Sequence, residues 1–347
     1  MKQKRLLIFT LITVLVLGLG IGIAVFTRVP IPMGVENQLR VYTRNKPDAE
    51  VTIAVITPEE TEITACGHDG VAIPVPDRFY EIGDLTKTFT GAIAARAVED
   101  GKLSPNEWIA ELLPISRAVY SPTVFELLTH SSAYADYAPG ISGNDLTDKN
   151  PYTGISANNL VGQMRSFKLT YEPPYYYSYS NFGAAAAGAV ISQVYDVDFY
   201  SILTIFAQEE LGLRHTFVSL EKSVEHGWVW KDTDAYLASD GLTSTIGDMV
   251  AYARLYLNGE QSYLSLAAMP MVEINAENSC GYFWNVWNSG NVIWHAGETG
   301  HYASFLLIDR DRGIAVILLS NYGNDRYGSV QDIGTAIYAG LIEKESE

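Results

Sequence analysis

The sequence predicts an α/β protein of the α+β type, in which one antiparallel sheet is built from both chain ends, is flanked by helices and encloses an inserted, mostly helical subdomain. Segments rich in β-branched residues occur near residue 50 and again after residue 280. The stretch between them carries helical patterns separated by loops rich in Ser, Pro, Tyr and Asn. With 347 residues, of which 48% are hydrophobic and 18% charged, the chain can bury a large core.

The first residues predict a membrane anchor. Lys2, Lys4 and Arg5 precede an uncharged apolar stretch, residues 6–26, that is long enough at helical rise to cross a bilayer. The positive flank predicts that the N-terminus lies inside the cell. A cleavable signal peptide is the competing interpretation, but the apolar stretch is longer than a usual signal-peptide core and residues 26–30 offer no A-x-A-like site.

This pattern divides the chain and predicts a single-pass protein of the cell membrane with an extracytoplasmic C-terminal domain. The predicted parts are a cytoplasmic tail (1–5), a transmembrane signal anchor (6–26), a proline-containing linker (27–35) and one folded domain (36–345) whose helical subdomain spans about 103–235.

The start of the folded domain predicts a helix, a hairpin and a second helix. Residues 35–44 are amphipathic, residues 51–56 are rich in β-branched side chains, and residues 61–66 alternate after a Pro-Glu-Glu turn. Apolar residues at helical spacing from residue 85 to residue 98 predict a buried helix with Asp84 as its N-cap.

The remaining elements are predicted from the same periodicities. Helical patterns occupy residues 122–128, 159–164, 183–194, 246–257 and about 330–344, and strand patterns occupy residues 280–287, 292–295, 302–308 and 314–319.

Charge and cysteine usage argue against several kinds of partner. Forty acidic and 23 basic residues give a net charge of -17, which repels phosphate backbones, so no nucleic acid partner is expected. Cys66 and Cys280 lie in predicted strands that are far apart in the sequence, and we expect two buried, unpaired thiols. The six histidines show no metal-ligand spacing, so neither a metal nor a cofactor is predicted.

Five sequence blocks carry the candidate chemistry. They are E-I-G-D-L-T-K-T-F-T-G at 81–91, L-L-T-H-S-S at 127–132, Y-S-N at 179–181, S-D-G-L-T-S-T at 239–245 with Asp248, and H-A-G at 295–297. In this order they resemble the motifs of the penicillin-recognising serine hydrolases of the class C β-lactamase type, which include DD-peptidases and related esterases. The resemblance covers about residues 36–345 and implies a β-lactamase/transpeptidase-like fold.

The resemblance also implies roles for individual residues. Lys87 and Tyr179 would handle the proton in acyl transfer, and Asn181 would hydrogen-bond Lys87 or a substrate amide. His295 and Gly297 would bind the substrate, His295 docking its acyl side or carboxylate together with the strand backbone. Backbone N–H groups at position 84 and on residues 295–299 would form the oxyanion hole. The implied ligand is a small peptide or acyl compound, such as a peptidoglycan stem peptide.

The chain departs from the family pattern at the position of the nucleophile. The family has Ser where this chain has Asp84. A carboxylate is weakly nucleophilic at neutral pH, and its attack on an amide would give an anhydride. Its pairing with Lys87, three positions later, would hold that lysine protonated and spoil it as a base. A substitution introduced to trap an enzyme is another origin for Asp84, and the retained N-terminal anchor argues against it.

The sequence therefore favours a catalytically impaired, membrane-anchored homologue that binds cell-wall peptide or a similar acyl ligand. The alternative is an active hydrolase, of the D-Ala-D-Ala carboxypeptidase, β-lactamase or esterase kind, in which Asp84 acts as a general base on water. A third possibility is a purely structural, membrane-tethered partner of another wall protein.

Four further residues receive secondary interpretations. Asp240, where the family usually has Gly, and His301, where it often has Gly, agree with a drifted site. His130 is expected to be a structural hydrogen-bonding group. Ser219 begins a literal S-x-x-K that lacks a following buried helix, and we interpret it as a decoy.

Overall fold

The computed structural model describes residues 34–116, 120–147, 149–167, 176–287 and 290–345. The predicted cytoplasmic tail (1–5) and membrane anchor (6–26) lie outside the described residues, and their assignment stays a prediction. Within the described ranges, no single helix is long and apolar enough to span a membrane. One pair of helices, residues 181–195 and 199–210, meets that length and composition only when taken together, and it is bent by 86°.

A large antiparallel sheet forms the centre of the domain. In the described residues it has nine strands in the order β3-β2-β1-β12-β11-β10-β9-β8-β7. These are β1 (Val51–Ile56), β2 (Thr61–Cys66), β3 (Ala72–Ile73), β7 (Val272–Glu273), β8 (Asn278–Cys280), β9 (Asn285–Trp287), β10 (Val292–Glu298), β11 (Ala303–Asp309) and β12 (Ile314–Ser320). A small second sheet has the order β4-β6-β5 and consists of β4 (Tyr80–Glu81), β5 (Phe217–Val218) and β6 (Leu242–Ser244).

The two ends of the chain meet at β1 and β12. These strands pair antiparallel over their whole lengths, from Val51 opposite Ser320 to Ile56 opposite Ala315. The predicted α+β fold, with one antiparallel sheet made from both chain ends, is therefore confirmed. β11 and β12 are buried along their entire lengths because helices cover both faces of the sheet.

Helices pack against both faces of the sheet. They are α1 (Val35–Thr43), α2 (Thr86–Glu99), α3 (Ile109–Leu112), α4 (Val124–Leu128), α5 (Ala157–Arg165), α6 (Asn181–Tyr195), α7 (Phe199–Ile205), α8 (Leu237–Asp240), α9 (Ile246–Asn258), α10 (Ser262–Ala267) and α11 (Val330–Glu345). α1 and α11 pack on the face that carries Phe305 and Leu307, whereas α2 and α9 belong to the larger core with Leu306 and Ile308.

One local prediction needs correction, and one element was not predicted. The strand predicted at 280–287 is divided into β8 and β9 by a turn in which Phe283 has a φ of 62°. The small sheet was not predicted, because its strands are two or three residues long and carry too little alternation. Cys66 and Cys280 are buried and unpaired, as predicted.

Candidate active site

The structure brings the predicted site residues together in one pocket. Asp84 lies in a 3₁₀ turn, Gly83–Leu85, directly before α2, and Lys87 is in the first turn of that helix. Tyr179 and Asn181 lie at the start of α6, and His295 lies on β10. A cavity of about 410 Å³ is lined by Asp84, Tyr179, Asn181, His295 and Gly297 among others.

Two glycines hold the turn that carries Asp84 close against β10. A Cβ at Gly297 would lie 2.1 Å from the Ile82 carbonyl oxygen and 2.9 Å from the Leu85 nitrogen. Gly83 has a φ of +48°, and a Cβ there would lie 2.6 Å from the Glu298 carbonyl oxygen. Real Cβ atoms do not approach backbone this closely, so both positions require glycine for packing. Gly297, predicted to bind substrate, thus also fixes the distance between the turn and the strand.

The carboxylate of Asp84 accepts hydrogen bonds from three donors. Its Oδ1 accepts from Lys87 Nζ at 2.6 Å and from the Tyr179 hydroxyl at 2.6 Å. Its Oδ2 accepts from the backbone N–H of Glu298 at 3.0 Å. The side chain therefore links the helix start, the Y-S-N segment and β10.

The prediction that Asp84 caps α2 is wrong. Leu85 is the N-cap residue, and its side chain makes no capping hydrogen bond. The carboxylate turns instead toward the ammonium group of Lys87 and the phenol of Tyr179 in the pocket, where its hydrogen bonds are charge-assisted.

The electrostatics of the pocket keep Asp84 ionised. Burial by itself would raise the pKa of this carboxyl group, but the charge of Lys87 and hydrogen bonds from Lys87 and Tyr179 outweigh burial and lower the pKa to about 2. Burial, followed by the negative charge of Asp84, raises the pKa of Tyr179 well above its ordinary value. Tyr179 is therefore a neutral phenol that donates its proton to Asp84.

Lys87 is enclosed between two carboxylates. Its side chain is fully buried, and Nζ lies 3.7 Å from Asp240 Oδ1 in addition to its bond with Asp84. Nζ also donates to the Ser239 carbonyl oxygen at 3.4 Å. Burial raises the pKa of Asp240 to about 7 in spite of the nearby lysine, and within the described ranges no donor hydrogen-bonds Asp240 Oδ2. The pKa of Asp84 is thus lowered and the pKa of Asp240 is raised, although both carboxyl groups lie near Lys87.

The side chain of Asn181 is engaged on both ends. Its Nδ2 donates to Asp136 Oδ1 at 3.0 Å, and its Oδ1 accepts from Ser239 Oγ at 2.8 Å. Of the two partners predicted for Asn181, Lys87 is therefore replaced by Asp136 and Ser239. Asp136 itself was missed by sequence analysis, because nothing in the surrounding S-S-A-Y-A-D segment marks it as a pocket residue.

His295 is a neutral side chain on the strand side of the pocket. Burial, together with the charge of Lys87, lowers its pKa to about 4. Nδ1 lies 2.6 Å from the carbonyl oxygen of Ala296. Since a carbonyl only accepts, Nδ1 carries the proton and Nε2 is left as an acceptor.

His130 supports the Y-S-N segment from behind. Its Nδ1 accepts the backbone N–H of Ser180 at 3.1 Å, and its ring centroid lies 4.5 Å from that of Tyr179. Burial lowers its pKa well below the ordinary value, so the ring is neutral. The expected structural role is what these contacts show.

The decoy interpretation of Ser219 agrees with its surroundings. Its hydroxyl is buried and hydrogen-bonds Thr243 Oγ1 at 2.9 Å, on the small sheet. It is not among the described residues that line the pocket. Within the described ranges, no group of three or more His, Cys, Asp or Glu side chains is placed to hold a metal ion.

Comparison with known proteins identifies the family. The family model described as Beta-lactamase matches residues 53–338, and the chain belongs to this family of penicillin-recognising serine hydrolases. A β-lactamase of Providencia stuartii is 34% identical over 157 residues, covering 44% of this chain and 38% of that protein. Protein flp of Staphylococcus aureus strain MW2 is 22% identical over 284 residues, covering 72% of this chain and 54% of that protein. The chain thus spans about half or less of these relatives' lengths.

Solved structures share the fold at low sequence identity. The octameric penicillin-binding protein homologue from Pyrococcus abyssi superposes with a TM-score of 0.71 at 19% identity, covering 89% of this chain and 75% of that one. The β-lactamase/D-alanine carboxypeptidase from Pseudomonas syringae gives a TM-score of 0.69 at 16% identity, covering 89% of this chain and 97% of that one.

Proposed function

We propose that this protein is a membrane-anchored, extracytoplasmic member of the family that binds a cell-wall peptide or similar acyl ligand without turning it over. One observation carries the proposal. The carboxylate of Asp84 occupies the three donors that acyl transfer would use: Lys87 Nζ, the Tyr179 hydroxyl and the Glu298 N–H.

The loss of catalysis follows from both oxygens of Asp84. With Oδ1 bonded to Lys87 and Tyr179, neither group is free to take a proton from an attacking nucleophile. With Oδ2 bonded to the Glu298 N–H, the donor expected to stabilise the oxyanion is already occupied by a negatively charged carboxylate. A ligand carbonyl would have to displace that carboxylate before it could be polarised.

The alternative, hydrolysis with Asp84 as general base on water, has less support. A general base works best when its pKa lies near the operating pH, whereas the pKa of Asp84 is about 2. Both of its oxygens also accept hydrogen bonds from the protein.

The ligand class and location rest on other observations. A peptide or acyl ligand is supported by the retained pocket and by the similarity in fold to the Pseudomonas syringae β-lactamase/D-alanine carboxypeptidase. The extracytoplasmic location rests on the apolar stretch at residues 6–26 with its basic flank.

A binding and turnover measurement on the full chain tests this function. Trp228 and Trp294 line the pocket, so a bound acyl amide should change intrinsic tryptophan fluorescence. With N-hexanoyl-D-alanine amide as the probe, we expect saturable binding and no hydrolysis product by chromatography. A Ser219→Ala variant, which removes the decoy hydroxyl, should behave as the parent.

Two results would contradict the proposal. The absence of saturable binding would show that the pocket does not bind this acyl ligand. Release of hexanoate or ammonia at a rate that Asp84→Asn abolishes would show that the aspartate is a catalytic base.

A further inference from the structure

The pocket walls carry an excess of acidic side chains. Asp84, Asp136, Asp240 and Glu298 line it, and none of its described lining residues is Lys or Arg. The adjacent cation is Lys87, which is already shared between Asp84 and Asp240. A ligand carboxylate would meet like charges here, whereas a cation would meet opposite ones.

Asp240 has bonding capacity that the protein leaves unused. The residue is 4% exposed, and no group among the described residues hydrogen-bonds its Oδ2. A buried acceptor without a partner destabilises the folded state, and more so when it is charged. Because Asp240 also lines the cavity, a donor supplied by a ligand would satisfy this oxygen.

Three aromatic side chains line the pocket that Asp240 lines. They are Tyr137, Tyr152 and Trp228. Tyr152 and Trp228 are each 1% exposed and pack edge to face with ring centroids 5.9 Å apart. Aromatic side chains and carboxyl groups in one pocket are the combination that binds organic ammonium groups.

We propose that the pocket selects a ligand that carries an organic ammonium group, with Asp240 accepting a hydrogen bond from that group in a pocket that Tyr137, Tyr152 and Trp228 also line. This inference rests on the proposed function and narrows it: the acyl ligand carries an ammonium group. A metal ion would use the carboxylates but not the aromatic rings.

Three acyl-D-alanine amides that differ in the charge at the end of the acyl chain test the inference on the full-length protein. They are N-(6-aminohexanoyl)-D-alanine amide, the neutral N-hexanoyl-D-alanine amide and the anionic N-adipoyl-D-alanine amide. Tryptophan fluorescence or calorimetry gives each Kd. We expect the ammonium probe to bind roughly tenfold tighter than the neutral probe or better, and the anionic probe to bind weakest.

A matched pair of variants assigns the effect to Asp240. Asp240→Asn should remove the preference for the ammonium probe, while Asp77→Asn, which removes an exposed carboxylate outside the pocket, should leave it intact. Circular dichroism melts establish that both variants are folded.

The outcomes separate this inference from the proposed function. Equal affinity of the neutral and ammonium probes overturns the inference and leaves acyl binding standing. Binding of the ammonium probe alone supports the inference, since the three probes differ only in the charge of the acyl chain. A preference that survives Asp240→Asn, or binding of none of the three probes, overturns the inference.

Discussion

At the residue scale, the site is defined by two carboxylates that share one lysine. Asp84 has three donors and a pKa of about 2, whereas Asp240 has a distant contact with Lys87, an unpartnered Oδ2 and a pKa of about 7. The family resemblance led to Asp84 because a motif position is visible in sequence. The resemblance marked Asp240 only as a residue that differs from the family's usual Gly. The sequence indicates neither the burial of Asp240 nor its contact with Lys87.

Asp240 gives a prediction for stability against pH. Its pKa is raised on folding, so the folded state binds a proton that the unfolded state has released, and stability is lost as pH rises from about 4 through about 7. Asp240→Asn cannot ionise and should not show this loss. We expect the variant to gain roughly 1–3 kcal/mol over the parent between pH 5 and pH 8, measured by urea denaturation.

The same measurement has a clear contrary result. The charges of Lys87 and Asp84 both act on Asp240. If the attraction of Lys87 outweighed burial, Asp240→Asn would instead become less stable than the parent as pH rises.

At the element scale, the site depends on contact between β10 and the turn before α2. Sequence periodicity gave the β1–β2 hairpin with its observed bounds, because alternation and a proline turn are local signals. It could not give the N-cap of α2, because the donors to Asp84 come from residues 95 and 214 positions away. Local sequence signals therefore predict the bounds of a helix or strand well, but they do not predict which distant residues contact it.

Gly297 tests this contact. Gly297→Ala would place a Cβ against the backbone of Ile82 and Leu85, so the strand must move away from the turn. We expect a loss of about 1–3 kcal/mol in unfolding free energy, as for other overpacked sites, and weaker binding of the acyl probe. Gly162→Ala is the matched control: nothing lies within 4 Å of its Cβ position in α5. The contact is not important if both variants melt alike.

At the scale of the whole molecule, the fold was predictable and the ligand was not. Strand patterns at both ends of the chain and helices between them are sufficient to predict one sheet in which β1 pairs with β12. The pocket's excess of carboxylates depends on residues from separate elements, including Asp136 and Glu298, which carry no sequence signal of their own.

The predicted anchor is tested on the membrane fraction. The apolar stretch at residues 6–26, with basic residues before it, should keep the chain in membranes after alkaline extraction, with its original N-terminus. N-terminal sequencing checks this prediction. A mature chain that starts near residue 28 would show that the segment is a cleaved signal peptide instead.

The central claim is that Asp84 alone silences acyl transfer, and intact-mass measurement after exposure to a fluorescent penicillin tests it most directly. The parent should form no covalent adduct, because both oxygens of Asp84 occupy the donors of the site. Asp84→Ser should form one, because it restores the hydroxyl and frees Lys87 to accept its proton, and Asp84→Asn, which restores no hydroxyl, should not. An adduct on the parent that Asp84→Ser slows, or no adduct on either protein, would contradict the claim.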